Sequence, residues 1–302
     1  MPSFSYSEHF LLSLFCPEAT FEFNGNTYEV IFSGKPSSPD GEPKTDIFAR
    51  CKNTNTLEDF DLKISYKQEN ADFLENKINA ERAAQILGPN WSSIIQQAII
   101  PLQSTFLSKP LVFKDRYRRT EAGAITLGWK FDFLIGTRGG ELSGVIPLSL
   151  SQKQDIYSGS NLSDSKKNAT VNNTIIDNSG VAEYIIIENA ENITTIQDAV
   201  NALIPIDRYV TDDIEICFAC KALNCRTLHD PIKWDGDRPL GVFINWGIAA
   251  GKLTPHLIFN APLSVKGNAI GNQLLAAMQQ LGIRTTHDIN DRNCVASIIY
   301  QE

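Results

Sequence analysis

The spacing of apolar residues divides the first third of the chain into short helices and strands. Residues 5–16 carry apolar side chains at helical spacing and predict a helix. The segment 20–33, TFEFNGNTYEVIFS, alternates on both sides of Asn24-Gly25, so it predicts a β-hairpin with its turn at that dipeptide. The segments 45–51 (TDIFARC) and 59–67 (DFDLKISYK) also alternate and predict two more strands.

The pattern becomes helical after these strands. Asn70 is a favourable N-cap residue, and apolar positions then recur at helical spacing as far as Leu87, where Gly88-Pro89 ends the predicted helix. A second helix is predicted over 90–105. The first third of the chain is therefore predicted to be a helix, antiparallel strands and then two helices.

Strand patterns dominate the remainder of the chain. We expect a first domain over 1–110 and a β-rich region over 111–302. Two helices are predicted within the second region, over 194–203 and 268–282. The polar segment 154–180 is predicted to be a long loop, which in a compact protein is usually functional or disordered.

The composition indicates a large hydrophobic core and an acidic protein. Of the 302 residues, 42% are apolar and 21% are charged, which is typical of a folded globular chain. The formal net charge is −8, so the basic surplus of many nucleic-acid binders is missing, although local basic clusters can still bind phosphates.

Cysteine usage and the N-terminal segment bear on the compartment. The six cysteines are sparse and unevenly placed for a secreted disulfide scaffold. The first residues lack the basic segment of a signal peptide, and no apolar run approaches the roughly 20 residues that a membrane helix needs. We therefore expect a cytoplasmic protein with reduced thiols and no membrane segment.

One strand carries a row of polar side chains that suggests chemistry. Successive side chains of a strand point to opposite faces, so Asp61, Lys63, Ser65 and Lys67 share one face of 59–67. If the preceding strand pairs with it, Asp46 lies beside this row. An acid next to lysines and a serine can hold a metal ion or form surface ion pairs.

A second acid lies on the predicted helix that follows. Helical spacing places Glu81 on the apolar side, with Lys77 one turn before it. A carboxylate that faces the protein needs a partner, because burying an unpaired charge is costly. That partner is either Lys77, as a simple ion pair, or a metal ion shared with Asp46.

These residues carry a resemblance to a known family. PKTDI, followed by a strand that ends in ISYK and by a helix, resembles the PD-(D/E)xK nuclease superfamily, in particular type II restriction endonucleases. The resemblance covers roughly residues 20–87, and the literal Pro-Asp dipeptide is absent because two residues separate Pro43 from Asp46. It implies an α/β (α+β) fold with a restriction-endonuclease-like core, a central mixed sheet flanked by helices, followed by the β-rich C-terminal region.

Two registers of the motif fit the sequence. In the ordinary register, Asp61-Leu62-Lys63 is the D-x-K element. In the variant register, Ser65-Tyr66-Lys67 takes its place, and the missing carboxylate comes from the helix, about four helical turns later, at Glu81. We favour the variant register because it uses the end of the strand and accounts for an inward-facing acid.

The resemblance also implies roles for the residues of this register. Asp46 and Glu81 would hold Mg²⁺, for which two carboxylates suffice because the ion keeps several waters. Lys67 would orient or deprotonate the attacking water or neutralise the developing phosphate charge, and Ser65 would hydrogen-bond a metal-bound water. Glu8, on the first predicted helix, or Glu22, in the predicted hairpin, could add a more distant contact.

Two basic segments are candidates for DNA contacts. The run KDRYRR (114–119) offers Arg116, Arg118 and Arg119 for phosphates and an aromatic ring that can stack on a base. The predicted loop 154–180 offers Lys166 and Lys167. The alternative in each case is a solvated charged segment.

A cysteine cluster resembles a zinc site in its spacing. Cys217, Cys220, Cys225 and His229 are spaced like zinc ligands. The surrounding strand pattern, however, places Cys217 and Cys220 on opposite faces, whereas zinc needs four converging ligands. We therefore expect buried strand thiols instead.

The function expected from these features is Mg²⁺-dependent endonuclease activity that hydrolyses DNA phosphodiester bonds, as in a type II restriction endonuclease. The C-terminal region would complete the sheet and recognise double-stranded DNA. A DNA site with two-fold symmetry is matched best by a protein with the same symmetry, so a homodimer is a further expectation. The alternative is a non-catalytic binding or assembly protein with a solvated acidic hairpin.

Overall fold

The structure is a computed structural model that describes residues 4–69, 73–76, 78–136 and 139–302. Within these residues the strands, in chain order, are β1 (Thr20–Phe23), β2 (Asn26–Gly34), β3 (Ile47–Asn53), β4 (Asp59–Lys67), β5 (Phe73–Glu75), β6 (Val112–Phe113), β7 (Ala124–Ile135), β8 (Ser143–Val145), β9 (Thr170–Val171), β10 (Thr174–Ile175), β11 (Tyr184–Ile187), β12 (Ile204–Pro205), β13 (Ile216–Arg226), β14 (Lys233–Trp234), β15 (Val242–Ala249), β16 (Lys252–Ile258) and β17 (Ile299–Tyr300).

The α-helices of the same residues are α1 (Phe4–Leu14), α2 (Ala80–Leu87), α3 (Trp91–Ile99), α4 (Gln103–Leu107), α5 (Leu150–Ser158), α6 (Asp164–Lys167), α7 (Ile196–Asn201), α8 (Ile206–Tyr209) and α9 (Gly267–Gln280). The protein is thus a mixed α/β fold, as expected. None of the described helices is long and apolar enough to cross a membrane.

The chain folds into two compact units, each made of two separate segments. Unit 1 comprises Met1–Asp72 and Leu148–Ile214, and unit 2 comprises Phe73–Pro147 and Glu215–Glu302. This division differs from the single boundary expected at residue 110. The reason is that strand β4 of unit 1 pairs with β11, which comes much later in the chain, so the intervening segment folds elsewhere.

Unit 1 is built on a six-stranded mixed sheet with the order β1-β2-β3-β4-β11-β12. Neighbours are antiparallel except for β4 and β11, which are parallel. The predicted hairpin is confirmed: Asn24 and Gly25 form its turn with φ values of 51° and 77°, which asparagine and glycine tolerate best.

Helices α1 and α7 cover one face of this sheet. Leu11 of α1, Phe15 just after this helix and Val200 of α7 are buried in one core with the apolar row of β4, which includes Leu62 and Ile64. The opposite, polar row of β4 is thereby left for the other face, as strand alternation predicted. Burial of these side chains, at roughly 25 cal/mol per Å² of apolar area, is the main contribution to the stability of unit 1.

Unit 2 is β-rich and contains the long antiparallel pair β7 and β13. Its sheet follows the order β14-β13-β7-β15-β16, with β5, β6, β8 and β17 attached beside this path. Helix α9 packs on β15 and β7. The buried residues of β7 include Trp129, Phe131 and Phe133, and these rings form the centre of the unit.

The helix predicted from Asn70 to Leu87 is wrong in its first half. Asn70, Asp72 and Lys77 lie outside the described residues, whereas Phe73–Glu75 forms strand β5 and pairs with β7. The helix proper is α2, with Asn79 as its N-cap residue. Tertiary pairing outweighs helical spacing here, because a strand beside β7 satisfies backbone groups and buries Leu74.

The long loop predicted over 154–180 is also wrong. This segment contains the end of α5, helix α6 and the small hairpin of β9 and β10. Helix α5 starts with a capping box, in which Ser149 and Gln152 bond reciprocally. Polar composition therefore concealed short elements that are stabilised by caps and turns.

Candidate functional site

Four strands of unit 1 meet at one edge of the mixed sheet. Strands β2, β4 and β11 end there and β3 begins there, because β3 runs opposite to its two neighbours. Lys35 directly follows β2, Asp46 directly precedes β3, and Lys67 is the last residue of β4. Charged residues that are distant in sequence are thereby brought to the same end of the sheet.

Asp46 is held by the strand that carries the serine and lysine of the variant register. Its backbone N–H donates to the carbonyl oxygen of Ile64 at 2.8 Å, which extends the pairing of β3 with β4. Its Oδ2 accepts hydrogen bonds from the backbone N–H of Tyr66 at 2.8 Å and from the hydroxyl of Ser65 at 3.3 Å. The predicted placement of Asp46 beside Ser65 is therefore observed.

The backbone just before Asp46 is anchored from the other segment of unit 1. The carbonyl oxygen of Gly180 accepts from the N–H groups of Lys44 and Thr45 at 3.0 and 3.3 Å. A Cβ atom at Gly180 would lie 1.8 Å from the carbonyl oxygen of Lys166, so only glycine fits this approach. The position of Asp46 thus depends on a long-range contact as well as on strand pairing.

A second carboxylate comes from helix α1. Glu8 is buried, with 8% of its surface exposed, and its Oε2 lies 2.5 Å from the Nζ of Lys35. Burial raises the pKa of Glu8, the negative charge of Asp46 raises it further, and Lys35 and Lys67 lower it. The carboxylates of Glu8 and Asp46 and the two ammonium groups therefore form one electrostatic cluster.

The charges of the same cluster shift the pKa of Lys35. Burial lowers its pKa, but the hydrogen bond to Glu8 and the negative charges of Glu8, Asp46 and Glu42 outweigh this effect, and the pKa of Lys35 is raised. Lys35 therefore stays protonated and balances part of the negative charge at this end of the sheet.

The donor set of the cluster suits a hard cation. Carboxylate and hydroxyl oxygens are the ligands that Mg²⁺ prefers, and one or two carboxylates are enough because the ion keeps waters and substrate phosphates. Within the described part of the chain, both hydrogen bonds that Asp46 accepts end on Oδ2, so Oδ1 is available. The same described residues contain no group of three or more His, Cys, Asp or Glu that could hold a metal ion, so a site here would rest on Glu8 and Asp46.

The residues of the ordinary register have other partners. Asp61 forms a two-pronged ion pair with Arg50, with nitrogen–oxygen distances of 2.8 and 2.9 Å. Lys63 pairs with Glu183 at 2.6 Å. These side chains line an open groove of about 520 Å³ on unit 1. The alternative D-x-K element is thus engaged in ion pairs, whereas Asp46 lies beside the S-x-K element.

The predicted inward orientation of Glu81 is wrong. Glu81 is exposed in the first turn of α2 and accepts a long hydrogen bond of 3.5 Å from Gln85. The buried side of α2 carries Arg82 instead, which pairs with Glu75 of β5 at 2.9 Å. The later start of the helix and this buried ion pair place Glu81 toward solvent, so the reason for considering it a metal ligand disappears.

The candidate DNA contacts are accessible in both units. Arg116, Arg118 and Arg119 are exposed in unit 2, in the connection between β6 and β7. Lys166 and Lys167 are partly exposed in the last turn of α6 in unit 1.

The cysteines behave as the strand pattern predicted. Cys217, Cys220 and Cys225 are all buried within β13, and burial raises the pKa of Cys225 to about 12. His229 is exposed and lies 3.5 Å from Glu121. The expectation of buried strand thiols is confirmed.

Sequence patterns indicated Glu8 only as a candidate for a more distant contact and did not indicate Lys35. One signal for Glu8 was available, because it is the one acidic residue of α1, on a helix whose other side is apolar. Lys35 lies in a loop rich in proline and glycine, where no periodic pattern could have indicated its direction.

Comparison with known proteins adds no relative. No model of a protein family matches this chain, and neither a curated protein nor a solved structure resembles it significantly.

Proposed function

We propose that the protein is a Mg²⁺-dependent endonuclease that hydrolyses phosphodiester bonds of double-stranded DNA, with its site at the edge of the unit 1 sheet. The observation that carries this proposal is the convergence of Glu8, Asp46, Ser65 and Lys67 from three separate segments of the chain. An acid fixed beside an S-x-K strand end is the arrangement that the resemblance to the PD-(D/E)xK superfamily implies. A central mixed sheet with helices against it is also what that resemblance implies.

Each residue has a role that follows from its contacts. Glu8 and Asp46 would hold the metal ion, and Ser65 and the Tyr66 N–H keep the Asp46 carboxylate in its orientation. When bound, Mg²⁺ supplies stabilisation of charge on a phosphate oxygen and a more acidic water. Lys67, at the end of β4, would orient that water, accept its proton or stabilise the negative charge that develops on the phosphate.

Lys35 would act as a counter-ion within the site. Two carboxylates close together repel each other, and the ammonium group of Lys35 reduces this repulsion while no metal ion is bound. Because 42% of its side chain is exposed, it can move aside when a cation replaces it. Glu8 thus takes the place that the sequence suggested for Glu81.

The test is cleavage of supercoiled plasmid DNA with Mg²⁺ and with EDTA, using wild type and Asp46→Asn. We expect nicked or linear DNA only with Mg²⁺ and wild type, and a loss of at least about 100-fold in Asp46→Asn. Asp61→Asn is the matched control, because this acid belongs to the ion pair with Arg50. Equal cleavage by Asp46→Asn and wild type would reject the site.

The type II restriction class makes a more specific prediction. A restriction enzyme cuts at a defined sequence, so digestion of a long DNA should give discrete fragments rather than a smear. Binding without cleavage under all metal conditions would favour the non-catalytic binding protein instead. The exposed arginines of the run 114–119 are the proposed phosphate contacts in either case.

A further inference from the structure

Unit 2 contains a cavity of its own, with a volume of about 370 Å³. That volume is within the range of small-ligand pockets. Three aromatic rings and three charged side chains are prominent in its lining: Phe113, Tyr117, Trp129, Lys109, Arg118 and Glu141. Flat apolar surfaces beside cations indicate a ligand that is both aromatic and anionic.

Arg118, which lines this cavity, and its neighbour Arg119 lie in a tight turn. The N–H of Tyr117 donates to the carbonyl oxygen of Thr120 at 2.9 Å, and the reverse bond measures 2.8 Å. Arg118 and Arg119 therefore form a two-residue tip, and both are exposed. Arg118 has a φ of 53°, a conformation that favours glycine or asparagine, so turn geometry does not explain an arginine at this position.

The ring of Tyr117 is held in place by two neighbouring aromatic rings and can serve as a stacking surface. Phe113 stacks against it with ring centroids 6.0 Å apart, and Tyr300 lies at 4.7 Å. The guanidinium of Arg118 lies 5.3 Å from the ring centroid, and 69% of its side chain is exposed. Because this guanidinium is so exposed, a flat ligand can take its place on the ring at low cost.

Local charge favours an anion. Between residues 109 and 119 the chain has five lysines and arginines and one acid, Asp115, although the whole protein carries a net charge of −8. Glu141 pairs with both Lys109 and Arg118 and thereby holds these cations at the rim of the cavity.

We propose that this cavity binds one unpaired nucleotide of a nucleic-acid strand, with its base on Tyr117 and its phosphates at Arg118 and Arg119. Both faces of a paired base are covered by its neighbours in a duplex, whereas an unpaired base exposes a face that can stack on an aromatic ring. Aromatic rings together with arginines are the combination that binds single strands without sequence readout. The proposal goes beyond cleavage, since every residue it uses belongs to unit 2.

The first experiment uses the wild-type protein in EDTA, so that no cleavage occurs. Fluorescence anisotropy compares a labelled 12-nucleotide single-stranded DNA with the same strand annealed to its complement. We expect the single strand to bind, because its unstacked bases can lie on the ring of Tyr117. No binding of the single strand would overturn the proposal. Binding of the duplex reports on the proposed nuclease function instead, so the two proposals can fail separately.

The second experiment assigns the binding to the cavity. Tyr117→Ala should weaken single-strand binding about ten-fold, whereas Tyr117→Phe, which keeps the ring, should stay within about two-fold of wild type. Wild-type affinity in a Tyr117→Ala protein with an unchanged thermal midpoint would contradict the proposal. If Tyr117→Ala does not fold, the Arg118→Gln variant described next assigns the binding to the cavity.

The proposed phosphate contact of Arg118 can be tested against an arginine of unit 1 as a control. Arg118→Gln should weaken binding and reduce the slope of log affinity against log salt by about one, because one phosphate contact is lost. Arg208→Gln removes another exposed arginine, in α8 of unit 1, and should leave that slope unchanged. An equal effect of the two variants would show that net charge alone determines the binding.

Discussion

The Oδ2 atom of Asp46 lies 2.8 Å from the backbone nitrogen of Tyr66, the residue between Ser65 and Lys67. This contact links the start of one strand to the end of its neighbour. A hydrogen bond from a backbone N–H to a carboxylate is charge-assisted and therefore stronger than a neutral one. It holds the acid beside the S-x-K element at the end of β4, whereas the D-x-K element lies nearer the start of that strand.

The choice of register leads to the first prediction. Lys67→Ala should reduce DNA cleavage by about 100-fold or more, because a positioned lysine near the reacting phosphate is lost. Lys63→Ala should reduce cleavage much less, since Lys63 pairs with Glu183 at 2.6 Å. Plasmid cleavage rates of both variants, with folding checked by circular dichroism, test this. If the Lys63→Ala variant lost cleavage and the Lys67→Ala variant kept it, the ordinary register would be the catalytic one.

The second prediction separates two candidates for the second carboxylate. Glu8→Gln should lose most cleavage and bind Mg²⁺ more weakly, because one anionic oxygen ligand is removed. Glu81→Gln makes the same chemical change at an exposed position and should retain wild-type cleavage. Cleavage rates across a Mg²⁺ titration measure both effects. Loss of cleavage in Glu81→Gln alone would restore the helix-borne ligand that the sequence suggested.

The third prediction concerns the ion pair that orients α2. Glu75→Gln removes the negative charge that pairs with the buried guanidinium of Arg82 at 2.9 Å, so unit 2 should lose about 1–3 kcal/mol of stability. Glu81→Gln, on the exposed side of the same helix, should change stability by less than about 0.5 kcal/mol.

Tryptophan fluorescence during urea unfolding is a suitable measurement for that comparison, since all four tryptophans belong to unit 2. Equal stability of the Glu75→Gln and Glu81→Gln proteins would mean that the pair contributes little. The same signal serves the next prediction.

The fourth prediction follows from a buried acid of β7. Asp132 is fully buried, and burial raises the pKa of its carboxyl group above 3.8, although Lys130 at 2.9 Å, Lys221 and Arg238 lower it. An acid with a raised pKa destabilises the folded state most above that pKa. This cost disappears as the pH falls below 3.8, where the group is protonated in both states.

Asp132→Asn should therefore be more stable than wild type at pH 7, and the difference should shrink as the pH is lowered toward 4. Urea midpoints at several pH values, read from tryptophan fluorescence, measure it. Asp291→Asn is the exposed control in the same unit and should show no such trend. A loss of stability at pH 7 that recovers at pH 4 would show that the ion pair with Lys130 dominates instead.

The sequence by itself determined the local elements of unit 1 that carry the candidate site. Asn24-Gly25 specified a hairpin turn, and alternation placed Ser65 and Lys67 on the polar face of β4. These features depend on neighbouring residues, whose periodicity shows which face is apolar. Asp46 could be placed beside Ser65 for the same reason, because two adjacent alternating strands pair.

Only the tertiary structure decided which distant residues join them. Glu8 and Lys35 reach Asp46 because α1 packs on the sheet and β2 ends at the same edge, and neither fact is encoded in a local period. Likewise, pairing with β7 turned Phe73–Glu75 into a strand and moved the start of α2, which exposed Glu81. A short segment has similar local energies as helix or strand, so long-range pairing and burial determine its conformation.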